Sequence, residues 1–98
     1  MERIYFVVEM LRDGDRERHS YIDGIYDDEL LALKEAWGHI RMRDDKYGAE
    51  VSGYNVNGGA RVYFRKLECW DAFAASCKDT AEKIRQMLDE SPEPESNE

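Results

Sequence analysis

The stretch GYNVNGGARVYFRK, residues 53–66, contains the clearest turn signal in this chain. Asn57, Gly58 and Gly59 separate two runs of strand-forming residues, so segments 49–56 and 60–68 are predicted to form a β-hairpin. The stretch also carries three basic and three aromatic side chains and no acidic one, although the formal net charge of the chain is −8. The register of this hairpin decides which of those side chains face the protein core.

Two registers are compatible with the turn. A two-residue Asn57-Gly58 turn pairs Tyr54 with Arg61, whereas a three-residue loop through Gly59 places Tyr54 on the side of Val62 and Phe64. A slip of one residue moves a whole set of side chains across the sheet. The first register is favoured because it buries apolar residues and no charge. It predicts that Val51, Val62 and Phe64 point to the core and that Tyr54, Val56, Arg61, Tyr63 and Arg65 point outward.

The rest of the chain predicts the order β-β-α-β-β-α. Alternating apolar residues indicate a strand over 3–11, and Asp13-Gly14 indicates a turn to a return strand over 17–26. A helix should begin at Asp27 or Asp28, bury a stripe of large apolar residues and end near Gly48. That stripe consists of Leu30, Leu33, Trp37 and Ile40.

A second helix, starting near Asp71, is predicted to bury Phe73, Cys77, Ala81, Ile84 and Leu88. The fold class is therefore α+β: a four-stranded, mostly antiparallel sheet with two helices packed on one face. The alternative is that the two hairpins do not join edge to edge and that one of them serves a partner chain.

The acidity of the chain is concentrated at its C-terminus. Residues 89–98 hold five acids and no base, so residues 1–88, with 17 acids and 14 bases, have a net charge of only −3. Residues 1–88 are predicted to form one domain, and residues 89–98 an acidic, disordered tail with both prolines.

Several classes of protein are disfavoured by what the sequence contains. The run IYFVVEML is short and includes Glu9, which indicates a strand rather than a membrane or signal segment. Cys69 and Cys77 lack paired metal or redox spacing, so we expect two free thiols in a cytoplasmic protein. His19 and His39 have no fixed relation to a nucleophile. We therefore expect no cofactor, no metal and no catalysis.

The leading hypothesis is a non-enzymatic protein-binding module. If both helices cover one sheet face, the other face is open and displays tyrosines, which are typical of contact surfaces. An acidic edge would then favour a partner with a basic surface. The expected partner-binding residues are Tyr5, Tyr54, Arg61, Tyr63, Arg65, Asp23, Asp27 and Asp28.

In size and acidity alone, the chain resembles small inhibitors carried by phages and mobile elements, anti-CRISPR proteins among them. That resemblance implies an acidic protein that occupies a basic surface of another protein. Two alternatives remain: a nucleic-acid-binding module that uses the Tyr/Arg face of the 49–68 hairpin, and a homodimer that buries its own open sheet face.

Overall fold

A computed structural model describes residues 3–12, 14, 20–43 and 46–90 of the chain. The strands are β1 (Ile4–Arg12), β2 (Tyr21–Tyr26), β3 (Tyr47–Asn55) and β4 (Arg61–Leu67), and the helices are α1 (Glu29–Met42), α2 (Trp70–Ser76) and α3 (Lys78–Glu90). Among these described residues, no helix has the length and apolar composition needed to cross a bilayer. The chain divides into two compact units, Met1–Glu68 and Cys69–Glu98.

The four strands form one sheet in the order β2-β1-β3-β4. Each neighbouring pair is antiparallel, and β1 and β3 pair along their full lengths, from Ile4 opposite Asn55 to Arg12 opposite Tyr47. This confirms the predicted α+β class and the four-stranded antiparallel sheet. It also confirms that the two hairpins join edge to edge.

Helix α1 covers one face of the sheet, which we call the inner face. It begins where predicted, because the side chain of Asp28 accepts a 2.8 Å hydrogen bond from the backbone N–H of Leu31. Buried residues of β1 and β3 meet the buried stripe of α1, so the core of this unit lies between helix and sheet. The buried residues are Phe6, Val8, Met10, Ala49, Val51, Ala32, Leu33, Ala36, Trp37 and Ile40.

The predicted end of this helix at Gly48 is wrong. The helix ends at Met42, and Gly48 lies within β3, opposite Leu11 of β1. A Cβ atom on Gly48 would lie 3.1 Å from the backbone oxygen of Leu67, so this glycine allows β4 to approach closely. Pairing along β1 decides the conformation of this segment.

Both edge strands contain a β-bulge. In β2, Ile22 pairs with Glu9 and Gly24 with Val8, which leaves Asp23 as an extra residue. In β4, Arg61 pairs with Tyr54 and Tyr63 with Gly53, which leaves Val62 as an extra residue. A bulge changes the face to which the following side chains point, and it also protects a sheet edge from pairing with other chains.

The second unit contains two helices where the sequence predicts one. The break is at Cys77, which has an extended backbone (φ −147°, ψ 76°). The Ser76 hydroxyl and the Cys77 thiol both donate to the backbone oxygen of Phe73, at 3.0 and 3.2 Å. Such side-chain bonds compete with the helical ladder, which accounts for the break. Helix α3 includes Asp89 and Glu90, and the rest of the predicted tail, 91–98, lies outside the described residues.

We expect Gly53→Ala to destabilise the protein. A Cβ atom at this buried position would lie 2.8 Å from Cβ of Tyr63, 3.2 Å from Cγ2 of Ile4 and 3.3 Å from Cδ1 of Phe6. Overpacking of this kind costs about 1–3 kcal/mol, to be measured as the free energy of unfolding in urea. Gly59→Ala is the matched control, since nothing lies within 4 Å of a Cβ atom there. Equal stabilities for the two variants would contradict the register at Gly53.

Candidate interaction surface

The face of the sheet opposite α1 forms the candidate site, and we call it the outer face. Alternation along each strand, together with the observed pairing, assigns its side chains. They are Tyr5, Val7, Glu9 and Leu11 of β1, Ile22 and Ile25 of β2, Glu50, Ser52 and Tyr54 of β3, and Arg61, Phe64 and Lys66 of β4, and of these Leu11 is buried.

An apolar row crosses the middle of the outer face. Ile25 pairs with Val7, Val7 with Ser52, and Ser52 with Phe64, so this row extends over all four strands. Ile25 is 63% exposed and Phe64 45%, and Ile22 on the same edge strand is 56% exposed. Val7 and the polar Ser52, which lie between Ile25 and Phe64, are half-buried. Single exposed apolar residues are ordinary, but several on one face of a sheet are typical of a contact surface.

The aromatic side chains predicted for this face are partly where the sequence placed them. Tyr5 and Tyr54 are cross-strand partners whose ring centroids lie 5.8 Å apart. Arg61 pairs with Tyr54, and its guanidinium carbon lies 4.2 Å from the centroid of the Phe64 ring. One of its nitrogens also lies 3.4 Å from the Ser52 hydroxyl oxygen. Arg61 thereby links the tyrosine pair to the apolar row through a cation–π contact.

A charged row lies on the other side of the apolar row. Glu9 and Glu50 are direct cross-strand partners, and Glu50 in turn pairs with Lys66. Like charges in opposite positions are destabilising, and Glu9 is half-buried with no ion pair among the described residues. The amino group of Lys66 lies 3.3 Å from the carboxylate of Glu68. An additional cation beside Glu9 would therefore be favourable.

The prediction for the second half of the hairpin is wrong. Phe64 lies on the outer face and Val62 is 49% exposed, whereas both are predicted in the core. Tyr63 and Arg65 lie on the inner side and not outside. The extra residue at Val62 is the cause, because it keeps the predicted Tyr54–Arg61 pair but reverses the faces of the residues that follow.

The turn of this hairpin lies one residue earlier in the sequence than the predicted Asn57-Gly58 turn. A hydrogen bond from the backbone N–H of Gly58 to the oxygen of Asn55 closes it at 2.9 Å, so that Val56 and Asn57 are its central residues. Asn57 adopts φ 70°, a left-handed conformation that asparagine tolerates better than most residues.

Tyr63 is anchored against α1. Its ring meets the Phe6 ring edge to face at 5.1 Å, and its hydroxyl donates a 2.8 Å hydrogen bond to the carboxylate of Glu29. Burial, together with this bond to a carboxylate, raises the pKa of Tyr63 to about 12. The hydroxyl of Tyr63 is thus engaged within the protein, and we do not include Tyr63 or Arg65 in the outer face.

The three aspartates predicted to face a partner each have a structural contact. The Asp23 side chain is only 10% exposed, and Asp28 caps α1. Asp27 forms a 3.3 Å ion pair with Arg3 in which both side chains are largely exposed. Asp23 is therefore largely buried and Asp28 is used as a helix cap, whereas Asp27 is exposed and does not cap a helix.

His39 is joined to carboxylates, which is the arrangement that a small enzyme would need. Its Nε2 lies 3.0 Å from one oxygen of Asp23 and 4.0 Å from Glu35, while the other Asp23 oxygen accepts a 3.1 Å hydrogen bond from Tyr26. Burial, followed by the nearby Asp23, raises the pKa of Tyr26 to about 12, the wrong direction for a nucleophile. The contacts among His39, Asp23 and Tyr26 connect β2 with α1. Among the described residues, no group of three metal-ligating side chains could hold an ion.

No protein-family model matches this chain, and the searches of curated proteins and of solved structures find no significant match either. The outer face is therefore interpreted from its own geometry. Ile22, Ile25 and Phe64 are the surface residues that sequence reasoning missed. Ile22 and Ile25 are three residues apart, so regular alternation places them on opposite faces, and the extra residue Asp23 brings them to the same face.

We expect Tyr63→Phe to lower the free energy of unfolding by about 1 kcal/mol, because it removes the hydrogen bond to Glu29. The raised pKa adds a pH dependence. The folded state keeps the phenol proton that the unfolded state loses near pH 10. The contribution of protonated Tyr63 to the free energy of unfolding is therefore complete below pH 10 and is lost as the pH rises through about 12. The difference between wild type and Tyr63→Phe should shrink over that range in urea unfolding.

Tyr54→Phe is the control for this experiment, since no hydrogen bond of the Tyr54 hydroxyl joins it to the described residues. It should leave stability nearly unchanged at each pH. If Tyr63→Phe behaved like Tyr54→Phe, Tyr63 would not contact Glu29.

Proposed function

We propose that this protein is a non-enzymatic protein-binding module and that the outer face is its contact surface. The observation that carries this proposal is the exposed apolar row that ends in Ile25 and Phe64 on the two edge strands. Burial of apolar surface favours association by about 25 cal/mol per Å², and an exposed row of this kind is costly to leave in water. The adjoining Tyr5–Tyr54 pair adds rigid contact area with polar hydroxyl groups.

The charges of the outer face favour a partner that has a basic group beside an apolar strip. The half-buried Glu9 forms no ion pair with the described residues, and a cation from a partner would compensate its charge. The formal net charge of −8 would speed the approach of a basic surface. A small acidic inhibitor, of the kind carried by phages and mobile elements, would have these properties. The two cysteines are free, which suits our proposal of a cytoplasmic location.

A protein partner is favoured over a nucleic acid because the bulge divides the cations of the hairpin. Arg61 and Lys66 belong to the outer face, whereas Arg65 lies on the inner side. A nucleic-acid backbone normally binds in a strongly basic groove. Two cations beside Glu9 and Glu50 do not form such a groove. A second copy of the chain is the other candidate occupant of the outer face, and light scattering would detect it.

Charged substitutions on the outer face should abolish partner binding and leave the fold intact. Ile25→Asp and Phe64→Asp place a carboxylate in the apolar row. Both positions are solvent-exposed, so stability should fall by only about 1 kcal/mol, from the lower strand preference of Asp and, at Phe64, the lost contact with Arg61. Wild type and variants would be immobilised and used to capture partners from the native lysate, with circular dichroism and melting to verify folding. Captured proteins should be lost with both variants.

Met42→Asp is the matched control, since Met42 is 62% exposed but lies on α1, on the opposite side of the sheet. It should retain the captured partner. Light scattering at several concentrations would reveal a second copy as the occupant, and anisotropy of short labelled single strands at low salt would reveal a nucleic acid. Capture that is unaffected by both outer-face variants would overturn the proposal.

A further inference from the structure

A second surface feature is an open cleft on the inner-face side, where three parts of the chain converge. It is lined by Arg12 at the end of β1, Met42 and Arg43 at the end of α1, and Lys46 and Tyr47 at the start of β3. Its volume is about 350 Å³, at the lower end of the range for small-molecule sites. Of the five described residues that line it, three are cations, in a chain with an excess of acids.

Arg43 is held in a defined position within this cleft. Its guanidinium carbon lies 5.4 Å from the centroid of the Tyr21 ring and 5.2 Å from that of the Tyr47 ring. The two rings also contact each other edge to face, at 6.0 Å. Cation–π contacts with two rings restrict the guanidinium without occupying its N–H donors with an anion. Less side-chain entropy is then lost when an anion binds.

The cations of the cleft have no acidic partner among the residues that the structure describes. Arg3, Lys34, His39 and Lys66 each form an ion pair, whereas Arg12, Arg43 and Lys46 form none with residues 3–12, 14, 20–43 or 46–90. The C-terminal dipole of α1 accounts for a cation at Arg43, but Arg12 belongs to a strand. Three like charges around one cleft repel one another, and an anion between them would remove that cost.

We propose that this cleft binds the phosphate group of a small anionic ligand. A phosphate monoester carries a charge of about −1.5 to −2 at neutral pH, which three cations can match, whereas a single carboxylate would leave more positive charge uncompensated. The guanidinium groups of Arg12 and Arg43 provide paired N–H donors that fit phosphate oxygens, and the ammonium group of Lys46 adds a point charge. This site is separate from the outer face and does not depend on the function proposed for it.

The proposal is tested by calorimetric titration of the full chain with pyrophosphate, inorganic phosphate and AMP at low ionic strength, with sodium acetate as a control of equal ionic strength. We expect saturable binding of the phosphates and none of acetate. Tighter binding of AMP than of inorganic phosphate would indicate an organic phosphate as the ligand, and equal binding would indicate the free ion. Amide chemical shifts of Arg43 and Tyr47 should move on addition of ligand.

Arg12→Gln and Lys46→Gln should each weaken pyrophosphate binding roughly ten-fold, since each removes a charge-assisted contact. Arg85→Gln is the charge-matched control, because Arg85 is exposed and does not line the cleft, and it should bind like wild type. If all three variants lost pyrophosphate affinity equally, the binding would come from general charge attraction, and the proposed site would be wrong.

Asp44 and Asp45 lie between Arg43 and Lys46 in the sequence and outside the described residues. If wild type failed to bind while Asp44→Asn/Asp45→Asn bound pyrophosphate, those aspartates would be the partners of the cations and the proposal would be wrong. Absence of saturable binding in both proteins would overturn it as well.

Discussion

One extra residue in β4 determines which half of the second hairpin faces the helix. Tyr54 pairs with Arg61, and Gly53 pairs with Tyr63, so Val62 has no partner between them. The bulge turns Tyr63 toward α1 and Phe64 toward the outer face. Gly53 makes this arrangement sterically allowed, because a side chain there would collide with Tyr63 and Phe6. Core packing and the composition of the exposed surface both depend on this one register shift.

The two bulges give α1 a polar contact at each edge of the sheet. At one edge, the extra residue Asp23 reaches His39, and at the other, the re-aimed Tyr63 reaches Glu29. Apolar burial supplies most of the packing energy but is not directional, whereas hydrogen bonds and ion pairs require one arrangement. The edge contacts therefore specify how the helix lies across the strands, while Leu33, Trp37 and Ile40 provide the buried area.

The same bulges explain why the outer face is more apolar than the alternation of the sequence suggests. Without the extra residue in β4, Phe64 would lie in the core and the charged Arg65 would be outside. With it, Phe64 is exposed beside Arg61, and Ile22 and Ile25 are exposed together on β2. The apolar row, the tyrosine pair and the opposed carboxylates are the features on which the proposed recognition of another protein rests. The cation-lined cleft has a different chemistry and would take a different ligand.

The sequence by itself determined the elements whose signals are local. Alternation in β1, the Asp28 cap and the stripe of α1, and the glycine-rich turn after residue 55 all follow from the chemistry of neighbouring residues, and they were sufficient for the α+β class and the antiparallel sheet. The Tyr54–Arg61 pair and the outward positions of Tyr54 and Arg61 were also predicted correctly, because both residues precede the bulge in the hairpin register.

Tertiary structure alone decided the bulges, the end of α1 at Met42 and the break between α2 and α3. A bulge adds one residue without changing the strand pattern on either side of it, so alternation cannot locate it. Whether Tyr63 or Phe64 is buried depends on the space that Gly53 leaves and on Glu29, which lies 34 residues away in the sequence. Non-local contacts of this kind select one register from two that local propensity leaves nearly equal, and they thereby decide which face of the hairpin is available to a partner.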